Sequence, residues 1–248
     1  MTSCGSGEKV DATNISAGND LSAGTVNNYG NANSGNPISA TDDKAGKHKE
    51  DHMSDSVLPS VTMTASAENT TENLIVKYEV QNHTDQPIYI WDLMIGYSGN
   101  EQVIDKDAAY IFFAEPKTIR LIRAELPLPS TFDIARKEIP YARILANGEK
   151  ISGMIRLKHP VKENSPYYPP VTSENEASVN CSEINLLVGW TRVRPGMQIT
   201  ERTISGQKVY AIRGTWDPPH QEILQETMPV QAELFTYTTP FERMLPVK

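Results

Sequence analysis

Cysteine is almost missing from this chain. Two in 248 residues, Cys4 and Cys181, are too few for a disulfide framework. No Cys-x-x-Cys pair occurs, which removes thioredoxin-like redox chemistry and zinc ribbons. Long apolar runs are also lacking. The longest, "AAYIFFA" and "INLLVGW", are strand-length and well short of the about 18 residues that span a bilayer. No signal peptide and no transmembrane helix is therefore expected in the chain as it stands. Catalytic signatures are missing too: there is no Gly-x-Ser-x-Gly turn, no Gly-rich phosphate loop and no His-Glu-x-x-His. No catalytic residue, metal ligand or cofactor is expected. Positive charge is scarce. The formal net charge is -8 and the isoelectric point is near 5.2. Basic residues form no stripe, so a phosphate backbone would be repelled, and nucleic acid is excluded as a partner. A membrane could hold the chain only through a lipid anchor.

The chain divides near residue 56. Residues 1–56 carry seven of the 15 glycines, seven asparagines and a single aromatic, Tyr29. Their eight acidic and four basic side chains account for half of the net charge. Such a segment cannot bury enough apolar surface to offset its ordering entropy, so it reads as a disordered Gly/Asn-rich tail or linker. Within it, "ISAGNDLSAGTVNNYGNA" has a period of six, with Gly18, Gly24 and Gly30 in register. A β-solenoid fragment and a low-complexity spacer both fit, and the spacer fits better because two units do not stack stably. His48 and His52 stand at i, i+4 among solvated charges and read as linker. Met53 is an alternative start, because composition turns globular just after it.

Residues 57–248 read as β throughout. Sixteen of the 17 prolines fall here, between short runs rich in Val, Ile, Thr and Tyr. In "NLIVKYEVQN", Leu74, Val76, Tyr78 and Val80 alternate onto one face. "PIYIWDLMIGY" follows a polar turn, so residues 73–97 are predicted to be two neighbouring antiparallel strands. "SVTMTAS", "AAYIFFAE", "TIRLIRAEL", "EINLLVGWTRV", "KVYAIRGTW" and "QAELFTYTTP" are further strands. "RILANGEKISGMIRLKH" adds strand sequence around a turn at "ANGEK", with Gly148 supplying a positive φ. "TFDIARKEIPYA" has room for one helical turn, limited by Pro140. The fold class is all-β, an antiparallel β-sandwich.

"VKYEVQNHTDQPIYI" and "RILANGEKISGMIRL" resemble bacterial immunoglobulin-like envelope domains, and the resemblance covers under a fifth of the chain. It implies an immunoglobulin-like sandwich and says little of function. The Cys-Trp-Cys signature is absent, although Trp91 and Trp190 lie in strand candidates. "MTSCGSGEK" resembles the processed start of a bacterial lipoprotein, with Met1 where leucine is usual. That resemblance makes Cys4 the lipidation candidate and the tail a linker.

Two loops carry the partner-binding candidates. In "ENSPYYPPVTSENE", Tyr167 and Tyr168 sit among prolines. Stiffly held tyrosines offer contact area to a protein partner, or fold back over the sandwich edge. "GTWDPPHQE" contributes Trp216, Asp217 and His220, with Glu222 beside them. Asp217 and His220 could form an acid–base pair, but a Pro-Pro loop with Asp217 accepting backbone N–H groups is the simpler reading. Cys181 reads as a free cysteine without chemistry. The expectation is a non-enzymatic binding or structural sandwich at a bacterial cell envelope or periplasm, its oligomeric state open. A soluble cytoplasmic assembly protein and a hydrolase with a loop-built site are the alternatives.

Overall fold

The computed structural model describes residues 60–114, 116–130, 133–134, 137–213 and 221–238, all within the unit Ser54–Lys248. Thirteen strands run through them: β1 Val61–Asn69, β2 Asn73–Asn82, β3 Ile88–Ser98, β4 Glu101–Asp105, β5 Tyr110–Ala114, β6 Thr118–Arg123, β7 Tyr141–Leu145, β8 Lys150–Lys158, β9 Val161–Lys162, β10 Glu176–Arg192, β11 Gln198–Ile204, β12 Gln207–Arg213 and β13 Glu222–Tyr237. The described residues form no helix; of the 131–142 segment, which has room for one helical turn, residues 131–132 and 135–136 lie outside the described residues. The fold is an all-β sandwich. One sheet has the order β1-β2-β8, and the other runs β11-β12-β7-β3-β10-β13-β9. Onto this second sheet, β4 pairs with β3, and β6, itself paired with β5, runs parallel to β10.

The alternation in β2 does what period two requires. Leu74, Val76, Tyr78 and Val80 are all buried against the second sheet's Ile88, Ile90, Leu121, Ile184, Leu186 and Trp190. Each such side chain contributes about 1.5–3 kcal/mol on leaving water. β3 does not alternate, because both of its faces are covered. Its inner face joins this core, and Tyr89 and Trp91 pack outside it with Ala142 and Ile212. Tyr89 and Tyr210 meet edge to face, with ring centroids 5.4 Å apart, which docks the β11–β12 hairpin on β3.

One expectation is corrected. β2 and β3 are not paired neighbours; they lie in different sheets. The segment between them arches across the sandwich, and the β7–β8 connection arches beside it. Asn82 holds both arches. Its buried amide donates to the carbonyls of Gln86 (3.0 Å), Leu145 (3.0 Å) and Ala146 (3.1 Å). Its side-chain oxygen accepts from the Thr84 backbone N–H (2.9 Å) and hydroxyl (2.7 Å). Gly148, at φ 75°, donates its N–H to the Asn82 carbonyl (2.9 Å). A corner has no ladder partners for its backbone, and one satisfied amide supplies them. The turn expected at "ANGEK" is present, but it too joins the two sheets.

The β10–β13 ladder is the longest, and β13 carries one extra residue opposite the Cys181–Glu183 stretch. The Gln231 carbonyl at this bulge accepts from Asn69 Nδ2 at 2.6 Å, which ties the end of β1 to β13.

Candidate functional site

Most buried polar groups among the described residues are consumed by the fold. Tyr78 Oη donates to Asp92 Oδ2 (3.1 Å) and accepts from Arg123 Nη1 (2.9 Å). Arg143 grips Asp92 with two nitrogens, Nε at 2.9 Å and Nη2. Arg123 also donates to the carbonyls of Lys106, Ala108 and Met154. Burial first, and the Asp92 charge second, push the Tyr78 phenol well above its ordinary value. Arg143 reaches the Ser152 carbonyl (3.4 Å), so the two arginines cover the outer edge of β8. Glu163, also buried, accepts from the backbone N–H groups of Phe113 (2.6 Å) and Tyr237 (3.2 Å) and from the Thr236 hydroxyl. These networks satisfy buried groups of the fold.

The predicted residues are placed differently. Cys4 lies outside the described residues, as do Trp216, Asp217 and His220. Tyr168 is 8% exposed and packs with Val171, Phe235 and Tyr237. Tyr167 is half-buried, and its hydroxyl accepts the Glu138 backbone N–H at 3.3 Å. Burial pushes its phenol up to about 12, opposed by that hydrogen bond. Both rings are thus turned onto the protein. Cys181 lies inside β10 at 1% exposure, its thiol pushed up to about 11 by burial and then by Glu163. A thiol so raised stays protonated near neutrality and is a poor nucleophile. Among the described residues, no group of three or more His, Cys, Asp or Glu is placed to hold a metal ion.

A cleft of about 880 Å³ opens where the far end of β3, β4 and the 137–141 stretch meet the β11–β12 hairpin. Its apolar lining comes from Ile95, Ile139, Pro140, Ala211 and Ile212. Gly189 lies behind the Glu125 part of the wall and does not itself line the cleft. A Cβ there would stand 2.7 Å from Gln221 Oε1 and 2.9 Å from the Ala124 Cβ, so only glycine lets the 124–125 segment lie directly on β10. Gln221 and Glu125 then exchange hydrogen bonds, N–H to Oε1 at 3.1 Å and Nε2 to carbonyl at 2.7 Å. This holds the Glu125 carboxylate, which pairs with Lys137 at 2.6 Å in the cleft wall. Tyr141 Oη donates to Gln102 Oε1 at 3.0 Å, and Gln102 lines the cleft with its amide N–H groups in no hydrogen bond among the described residues. Tyr97, at 62% exposure, presents its ring at the rim. Glu138, Arg202 and Arg213 also line it, and none of the three forms an ion pair among the described residues.

Sequence reasoning missed this site. Tyr97, Arg202 and Arg213 belong to no motif. The one available signal was the turn "ISGQ", whose Ser205 (φ 51°) and Gly206 (φ 74°) form the two-residue left-handed connection of a tight hairpin.

No protein-family profile matches the chain, and neither a curated protein nor a solved structure does.

Proposed function

We propose that the protein is a non-catalytic binding module of the immunoglobulin-like sandwich kind, held at a bacterial cell envelope through Cys4. The observation that carries the binding role is the contrast just described. Most buried polar groups are tied into the fold, Trp91 Nε1 and the Nε of Arg120 and Arg192 excepted, while the cleft presents an exposed aromatic ring and charged groups that form no ion pair among the described residues. Exposed rings and arginines in a concave surface are what recognition sites use. The strand order supports the sandwich type. β1-β2-β8 facing β7-β3-β10-β13 follows the order A-B-E against C′-C-F-G of immunoglobulin-type domains. On this reading β5–β6 and the β11–β12 hairpin are additions, and the second of them builds the cleft. The envelope tether rests on "MTSC" alone.

The binding reading is tested by thermal shift of the full chain against a panel of peptides and oligosaccharides. At least one member should raise the melting temperature, lose that effect in Tyr97→Ala, and be recovered chemically unchanged. Conversion of the ligand, a gain that survives Tyr97→Ala, or no gain with any member would overturn it. The tether has its own test, the intact mass of the protein from membrane and soluble fractions. Acyl mass on Cys4 supports it. An unmodified soluble species removes the tether and leaves the binding role standing.

A further inference from the structure

We infer that the cleft binds an extended acidic peptide with two carboxylate side chains four residues apart, an assignment that rests on the binding-module reading. The charge of the site comes first. The chain carries a net charge of -8, yet the cleft is lined by Lys137, Arg202 and Arg213 against Glu125 and Glu138. Lys137 and Glu125 neutralise each other at 2.6 Å. Two guanidiniums then face one carboxylate, a local positive excess on an acidic protein. Guanidinium forks match carboxylates bidentately.

The spacing of those guanidiniums selects the shape of the ligand. Arg202 stands opposite Val209, Thr200 opposite Ala211, and Gln198 opposite Arg213. Cross-strand partners share a face, so Arg202 and Arg213 emerge on the same face of the hairpin, four positions apart along it. Four positions of strand span roughly 13 Å. With both side chains standing off the sheet, the two guanidiniums can each meet a separate carboxylate at that spacing. It is the repeat of a second extended chain, in which residues i and i+4 point the same way with the same rise. Tyr97, which lines the same cleft and is exposed, offers a ring to the peptide's side chains. Gln102 N–H groups and the Glu138 carboxylate supply a donor and an acceptor for peptide carbonyl and N–H groups.

The experiment is fluorescence anisotropy on the full chain with a labelled peptide, Thr-Asp-Val-Thr-Val-Asp-Thr. Controls are the peptide with its two Asp placed side by side and the peptide with both Asp replaced by Asn. Arg202→Gln and Arg213→Gln change exposed residues, and circular dichroism checks that they fold. The spaced peptide should bind, and each arginine variant should weaken it by about tenfold, the loss of one charge-assisted contact. Both controls should bind more weakly than the spaced peptide. Equal binding of the spaced and adjacent peptides, or unchanged binding by the double arginine variant, would overturn the assignment. Polygalacturonate binding more tightly through the same arginines would also overturn it while leaving the binding module intact. Failure of every ligand at the cleft would overturn both.

Discussion

Gly153 stands directly across from Tyr78 on the neighbouring strand, and the tyrosine ring fills the space a side chain would take. A Cβ at Gly153 would fall inside the ring's van der Waals surface. The glycine is thus what lets Tyr78 reach Asp92 and Arg123. Gly153→Ala is expected to destabilise the protein by about 3 kcal/mol through overpacking, read as a lower urea midpoint. An unchanged midpoint would show that the ring moves aside without cost.

Asp92 is the only carboxylate within the Tyr78, Arg123 and Arg143 network described above. Removing its charge leaves Arg143 without a counter-ion beside the core. Asp92→Asn is expected to lose about 3 kcal/mol, the low end for breaking a buried pair because Arg143 keeps some exposure. Chemical denaturation measures this. A loss no larger than that of the exposed pair Lys150–Glu79 would contradict the account.

The paired arches depend on one amide. Asn82→Ala takes this partner from the Leu145 and Ala146 carbonyls and the Thr84 backbone N–H, while the Thr84 hydroxyl keeps the Gln86 carbonyl, with an expected loss of about 2–3 kcal/mol in equilibrium unfolding. Asn82→Asp keeps the acceptor for Thr84 and sets negative charge against those three carbonyls, so near neutral pH it is expected to be worse than alanine. The reverse ranking would mean that Thr84, rather than the carbonyls, is the contact that matters.

Alkaline pH should report on Cys181. Its folded thiol is raised from 9.0 to about 11, above the unfolded value, so the unfolded chain loses the proton first. The stability held by the neutral thiol is complete below pH 9.0 and is lost as pH climbs toward about 11. Urea midpoints followed across that window should fall more steeply for the natural chain than for Cys181→Ala. Parallel curves would contradict this.

The sequence made the β class and much of the core readable. Alternation in "NLIVKYEV" is a local pattern, and Leu74, Val76, Tyr78 and Val80 are buried as it requires. Sheet membership was not readable, because a short polar connection serves a hairpin or an arch equally well. What decides is the tertiary position of Asn82, whose carbonyl partners lie at Leu145 and Ala146, far along the chain. Strand β11 was missed because "QITERTI" is mostly exposed and lacks an apolar face strong enough to signal itself. The cleft was missed for a related reason. It draws on residues from β3, β4, the 137–141 stretch and β11–β12, and no local motif joins them. Tyr167 was noticed for its composition. Its observed contact is a hydrogen bond from Glu138, which holds a stretch that lines the cleft.

The central claim is that the cleft is where this protein meets its partner. The most direct measurement is a residue-resolved NMR titration of the isotopically labelled full chain with the spaced acidic peptide. The account expects amide shifts to cluster in residues 95–102, 137–141 and 198–213 and to collapse when salt screens the arginines. Shifts centred instead on β1, β2 and β8, or no shifts at peptide concentrations that saturate the anisotropy signal, would contradict it.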